Sequence, residues 1–276
     1  MNRPLLHPRT EASLNSYFKE PSHGLILSGE TGTGKLYLAK WIASKLQSQE
    51  YIVTSLEDKS TISIEQIRQL YSVTRTGNGL TVIIENSQTL GSEAQNAFLK
   101  LLEEPPKDTR FILTASSALS LLPTIQSRSQ LIEVYKPNKK LLLKLGDATS
   151  DLSQIELESL VHTSKGLPGT FLKLVAEESL RESHQTSVNI TKTFYTAKPY
   201  ARHILCIENK YDKQWSEQLL DILSIILESL LKQGSGNQKM FLKLKKQSEL
   251  IETTSRNLLT INGNPKIHLA KLCEQL

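Results

Sequence analysis

The sequence predicts an α/β protein: a parallel sheet covered on both faces by helices, then a small helical unit and an all-α C-terminal part. Three observations carry this. Over the first half, short apolar runs of strand length alternate with segments of helical periodicity, which implies parallel strands joined by crossovers. A glycine-rich turn, Gly29 to Lys35, stands between the first of those strands and the next helix. Beyond Lys136-Pro137-Asn138 the strand signal stops and only helical patterns remain.

In order, Leu25-Ile26-Leu27 is a short buried strand, and Ala39, Ile42, Ala43 and Leu46 form the apolar face of the helix after the glycine turn. Tyr51-Ile52-Val53 is the second strand, and Ile62 to Tyr71 is helical with Ile64, Ile67 and Leu70 on one side. Thr81-Val82-Ile83-Ile84 is the third strand. Ser92-Glu93-Ala94-Gln95 has the form of a capping box opening a helix that carries Ala94, Ala97, Phe98, Leu101 and Leu102 inward. Glu103-Glu104-Pro105-Pro106 ends that helix, because a helix does not run on into two prolines. Phe111 to Thr114 and Leu131 to Val134 are the fourth and fifth strands.

After residue 138, Leu141–Leu145, Ile155–His162 and Thr170–Glu178 read as helices, and the polar stretch Arg181 to Asn189 reads as a linker. From about Lys192 onward the pattern is helical, with breaks expected at 233–237 and 262–265. The most apolar run, Leu219 to Leu231, keeps Gln218, Asp221, Ser224, Glu228 and Lys232 on one stripe, so it reads as a largely buried helix and not as a membrane span.

At 276 residues, with 38% hydrophobic and 22% charged residues, the composition is that of an ordinary globular protein of about two or three domains. The net charge of +5 permits nucleic-acid contact without demanding it. Cys206 and Cys273, the two cysteines, lack metal-ligand spacing and read as reduced thiols. The stretch from Met1 to Pro8 has no apolar core of signal-peptide length, and a cytoplasmic location is expected.

The turn Ser28-Gly29-Glu30-Thr31-Gly32-Thr33-Gly34-Lys35-Leu36 is a phosphate-binding loop complete except at its last position. Gly29, Gly32 and Gly34 let backbone N–H groups face an anion, with Thr33 between them, and Lys35 adds a charge for the phosphates. The spacing does not fit a dinucleotide fingerprint. The motif calls for a hydroxyl after the lysine to ligate magnesium, and Leu36 supplies none. Hydrolysis also requires an acidic pair at the end of a neighbouring strand. Here that strand ends in Glu85-Asn86: Glu85 is an acid at the metal-facing position, one methylene longer than the usual aspartate, and Asn86 does not serve as a base. Arg128, in Ser127-Arg128-Ser129, would by itself be an ordinary solvated charge. The histidines at 7, 23, 162, 184, 203 and 268 show no metal spacing, and no metal site is expected.

Taken together, Gly29–Lys35, Val82–Asn86, Ala94–Pro106, Phe111–Thr114 and Leu122–Arg128 resemble the clamp-loader branch of the AAA+ ATPases. The segment Glu93 to Pro106 is similar to that family's AxNALLKxLEEPP helix, and Leu122 to Ser129 to its LPTIxSRC segment, with Ser129 in place of the usual cysteine. The likeness is dense over 20–135 and thinner beyond. It implies an AAA+ core over 1–136, a helical lid over 137–185 and a helical collar over 190–276 that oligomerises. It also implies that Arg128 is a trans-acting arginine finger, reaching the γ-phosphate of ATP held by a neighbouring subunit.

Three departures from the hydrolysing members agree with one another. Leu36 and Asn86 are two, and the third is Gly169, where the resemblance places a nucleotide-sensing arginine. No cysteine precedes Cys206, so the zinc module of the motor subunits is not expected. The resemblance therefore implies a subunit that hydrolyses no ATP, requires no cofactor and holds ATP or ADP weakly if at all. Its implied partners are motor subunits and a delta-like subunit in a hetero-pentamer, a sliding clamp, and primed DNA touched through its backbone at the helix Glu93–Leu102, with no membrane partner. Two alternatives stay open: an ATP-hydrolysing motor that tolerates Leu36, and a module in which the loop holds nucleotide for structure alone.

Overall fold

The structure is a computed structural model, and it describes residues 3–55, 61–76, 79–233, 238–258 and 264–276. The helix breaks expected near 233–237 and 262–265 fall largely outside the described residues. In chain order the elements are α1 (Pro8–Lys19), β1 (Gly24–Ser28), α2 (Lys35–Lys45), β2 (Gln49–Val53), α3 (Ile64–Thr76), β3 (Leu80–Ile84), α4 (Ser92–Glu103), β4 (Thr109–Ala115), α5 (Pro123–Ser127) and β5 (Gln130–Glu133). The helices α6 (Lys139–Thr149), α7 (Gln154–Thr163), α8 (Pro168–Ala176), α9 (Glu178–Thr196), α10 (Pro199–Glu208), α11 (Lys213–Gln233), α12 (Gln238–Leu258) and α13 (Pro265–Gln275) follow.

The five strands form one sheet in the order β2-β3-β4-β1-β5, and every pairing is parallel. Parallel strands buried on both faces need apolar side chains at consecutive positions, which is why they appear in the sequence as unbroken apolar runs. Leu25, Leu27, Ile83, Ile112 and Ile132 face α1 and α2, packing with Leu14, Tyr17, Leu38 and Ile42. Ile26, Val82, Ile84, Phe111 and Leu113 face the opposite way, against Ile67 and Leu70 of α3 and Phe98 and Leu101 of α4. Phe98 meets Phe111 edge to face, with ring centroids 5.2 Å apart.

Helix α1 was not anticipated, although its signals are present. Pro8 occupies the first turn, and His7 caps it by accepting from the Arg9 N–H at 3.2 Å. Thr10, Leu14 and Tyr17 are its buried face, and the Thr10 hydroxyl donates to the Glu133 carbonyl at 2.9 Å. The start of α4 also differs from expectation. Its N-cap is Gly91, and the capping box expected at Ser92–Gln95 is not formed. Gln95 turns elsewhere, as described below.

The chain divides into two compact units: Met1–Thr149 with Gly166–Leu172, and Ser150–Lys165 with Lys173–Leu276. The segment 137–185, expected as a lid, is thus shared between them. Within the second unit the linker expected over 181–189 is instead the middle of the 19-residue helix α9. Polar composition suggested a loop, but the hydroxyls of Thr186, Ser187, Thr191 and Thr193 each bond the carbonyl four residues back, at 2.8–3.0 Å. Their donor groups are satisfied along the helix, and Phe194, fully buried, anchors its end. The run Leu219–Leu231 is core, as its pattern suggested, with Leu219, Leu220, Leu223 and Leu227 buried beside Leu244, Ile251 and Leu269. Cys206 and Cys273 are free, fully buried thiols with sulfurs 3.7 Å apart. Among the described residues, no helix is long and apolar enough to cross a membrane.

Candidate functional site

The glycine loop leaves β1 at the C-terminal edge of the sheet, the edge at which open parallel sheets bind ligands. Gly32 and Gly34 have φ of +89° and +85°, a region closed to most side chains. Gly29 is required for space: a Cβ there would lie 2.5 Å from the Val134 carbonyl oxygen. Gly34 caps α2, so the helix N-terminus points into the loop. Lys35 is buried and its ammonium donates to the carbonyls of Gly29 at 2.6 Å and Glu30 at 2.9 Å. Burial pulls its pKa below the usual lysine range, with the Glu30 carboxylate opposing the shift. The Thr33 hydroxyl is likewise turned inward, donating to the Glu30 carbonyl at 2.8 Å.

Leu36 does not face the loop's anion side. Its side chain is half-buried against the α1–α2 core of Leu14, Tyr17 and Leu38, so it serves packing. Glu85 follows β3, and β4 lies between β3 and β1. Two inter-strand steps put Glu85 about 10 Å from the loop strand along the same edge. Asn86 occupies the left-handed region (φ 51°, ψ 49°), where asparagine is favoured, and its N–H donates to the Thr114 hydroxyl at 3.0 Å. This position is therefore a turn, with an exposed amide side chain and no carboxylate. Of the groups that a hydrolytic site uses, Glu85 keeps an acid at the metal-facing position, while Leu36 offers magnesium no hydroxyl and Asn86 offers no base, so this donor set does not fit a hydrolytic magnesium site. Among the described residues no three His, Cys, Asp or Glu side chains come close enough to hold a metal.

Gly169, in the first turn of α8, packs directly on the loop. Its N–H donates to the Gly32 carbonyl at 2.9 Å, and a Cβ at 169 would stand 3.1 Å from that oxygen. A side chain here would have to displace the loop or the helix. Beside the loop is a cavity of about 480 Å³, lined among others by His7, Glu30, Thr33, Glu133, Tyr135 and Lys136. The rings of His7 and Tyr135 are 5.4 Å apart across it, and Lys136 pairs with Glu30 at 2.6 Å.

Arg128 lies away from this loop, at the C-cap of the five-residue helix α5. Its guanidinium is 39% exposed; Nη2 pairs with the Glu103 carboxylate at 2.8 Å, and Nη1 donates to the Thr124 carbonyl at 3.3 Å. The hydrophobic anchor of α5 is Ile125, fully buried. Gln95, buried in α4, bridges two elements: its amide donates to the Leu90 carbonyl at 3.0 Å and its carbonyl accepts from the Leu122 N–H at 2.8 Å. The sequence pattern reads Gln95 as part of a capping box and Glu103 as a helix end, and it shows neither of these contacts, because both depend on where α5 docks.

Ser129, next to Arg128, has a buried hydroxyl with no hydrogen-bond partner among the described residues. It sits where the resembling segments carry cysteine, a side chain that tolerates apolar burial without a partner. An unsatisfied buried hydroxyl costs about 1–3 kcal/mol. Ser129→Cys should therefore stabilise the chain by roughly 1 kcal/mol, read as a higher urea midpoint with unchanged circular dichroism. A lower midpoint would contradict this account.

The family model described as "DNA polymerase III, delta subunit" matches residues 47–138. The DNA polymerase III subunit delta' of Bacillus subtilis is 24% identical over 95% of this chain and 91% of its own length. The chain is thus similar to the DNA polymerase III subunits named delta' over most of its length. A second relative, the DNA polymerase III subunit delta' of Yersinia pestis, is 35% identical over 36% of this chain, a match spanning only 31% of that relative's length. Among solved structures, a DNA polymerase III gamma subunit-related protein of Thermotoga maritima covers 97% of this chain with a TM-score of 0.54 at 18% identity. That likeness shows the fold: a parallel α/β core followed by a mostly helical C-terminal part.

Proposed function

We propose that this chain is the non-hydrolysing, delta-prime-like subunit of a clamp loader and lends Arg128 to the ATP site of a neighbouring motor subunit. The observation that carries this is the contrast between the chain's two sites. Its own loop has Leu36 committed to the core, Asn86 committed to a turn and Gly169 packed against Gly32. Its arginine, in contrast, is exposed at a helix end with three of its five N–H groups free of the contacts described above. Phosphoryl transfer is accelerated chiefly by placing charge against the transferring group. Arg128, a group suited to that task, faces outward.

In the assembled state the chain stands in a hetero-pentamer with motor subunits and a delta-like subunit, which together open a sliding clamp and place it on primed DNA. Contact with the DNA is to backbone phosphates and falls with salt. The helical second unit supports assembly: Tyr200, Ile204 and Ile207 lie on one stripe of α10 and are exposed, Tyr200 by 77%. The cavity beside the loop favours one variant of this proposal, in which ATP or ADP is held there weakly and without turnover.

The isolated chain should hydrolyse no ATP above background, and Leu36→Thr alone should not create activity, because the acid missing at Asn86 stays missing. Steady-state phosphate release by the purified chain checks this, with fluorescent ADP titration reporting binding separately. Turnover by the isolated chain that disappears in Lys35→Ala would refute the proposal in favour of a motor.

A further inference from the structure

We infer that Glu103 is the positioning residue for Arg128: it holds the guanidinium at the surface in the orientation that meets the neighbouring subunit's nucleotide. This rests on the trans role proposed above for Arg128. Glu103 is the last residue of α4, and its Oε1 lies 2.8 Å from Arg128 Nη2. The Thr124 carbonyl takes Nη1 from the same side chain. Two of the five guanidinium N–H groups are thereby occupied, and the remaining donors are left for an incoming anion. A surface arginine without such partners samples many rotamers, while a planar fork held at two points is pre-organised.

Two features show that this contact does not exist for the sake of α4. A carboxylate in the last turn of a helix opposes the helix dipole, so Glu103 is electrostatically misplaced with respect to its own element. Pro105 and Pro106 end α4 immediately beyond it, with Glu104 as the C-cap, which fixes the height at which Glu103 projects. At its other end α4 grips the start of α5, through Gln95 accepting from the Leu122 N–H at 2.8 Å. One helix therefore fixes both ends of the short element that presents Arg128. An exposed ion pair adds little to stability, so the contact is available to act on orientation alone.

The test uses the whole complex purified with this chain in place, comparing Glu103→Gln, Arg128→Ala and the double variant. In Glu103→Gln the Arg128-dependent share of ATP turnover is expected to fall about tenfold in kcat with KM for ATP unchanged. The thermal midpoint of the isolated chain should not move. In the Arg128→Ala background the same change should have no further effect, because a residue that acts through Arg128 has nothing left to position. Unchanged or faster turnover in Glu103→Gln, or an added loss on top of Arg128→Ala, would overturn the inference while leaving the arginine's own role standing. Full turnover in Arg128→Ala alone would remove both.

Discussion

Replacing Arg128 with alanine is expected, on the trans role proposed above, to lower ATP hydrolysis at the neighbouring motor site by about 10³-fold, the lower end of what an arginine finger supplies. The chain itself should fold normally. The guanidinium is 39% exposed and its partner Glu103 48% exposed, so the lost ion pair is discounted by solvent to at most about 1 kcal/mol. Arg128→Lys should recover little, since an ammonium is a point charge on a flexible stem and does not reproduce the two-pronged contact. Binding of ATP to the complex should be nearly unchanged, because the effect is on charge that develops in the transition state. Pre-steady-state phosphate release from the assembled complex separates the affected site from the others. If all phases kept their wild-type rates, Arg128 would be an ordinary surface charge.

The second large effect concerns Arg202 in the helical unit. This side chain is buried, with 7% exposure, and it donates from Nε to the Phe194 carbonyl, from Nη2 to Tyr195 and from Nη1 to Cys273, each at 3.0 Å. Those carbonyls belong to the last turns of α9 and α13, where helices leave acceptors without internal partners and carry partial negative charge. One cation thus caps two helix C-termini and also lies over the Phe194 ring at 5.9 Å. Arg202→Met keeps the bulk and strands the Tyr195 and Cys273 carbonyls, while the Phe194 carbonyl keeps the Ala197 N–H at 3.3 Å, at a cost of roughly 2–4 kcal/mol. Urea unfolding followed by circular dichroism should show the helical unit's midpoint falling by about 2 M. Arg202→Lys should fall between, because one ammonium does not reach all three carbonyls in the same plane. A loss below about 1 kcal/mol would mean that these contacts are exchanged for others without cost.

Some features of the candidate site were readable from residue chemistry, and others were not. Gly32 and Gly34 announce positive φ because few other residues adopt it cheaply. The reason for Gly29, by contrast, is the carbonyl of Val134, more than a hundred positions away in the chain. Leu36 could be recognised as no magnesium ligand, but only the core around Leu14 and Tyr17 shows what it does instead. The spacing of Gln95 predicts a capping box, and the docking of α5 gives its amide better partners. The stretch 181–189 was assigned to a linker on its polarity. Backbone carbonyls within the helix satisfied its hydroxyls, and packing at Phe194 decided the outcome.

By itself the sequence determined the parallel α/β core, the phosphate-loop frame and the identity of Leu36 and Asn86 at the positions after its lysine and after Glu85. These follow from side-chain chemistry and local backbone preference, which act over a few residues. Only the tertiary structure decided that β4 lies between β1 and β3, that Gly169 rests on Gly32, that Glu103 meets Arg128 and that Arg202 closes two helices. Each of these joins groups far apart in the chain, and strand order and helix docking are set by how whole faces pack, which no local pattern encodes.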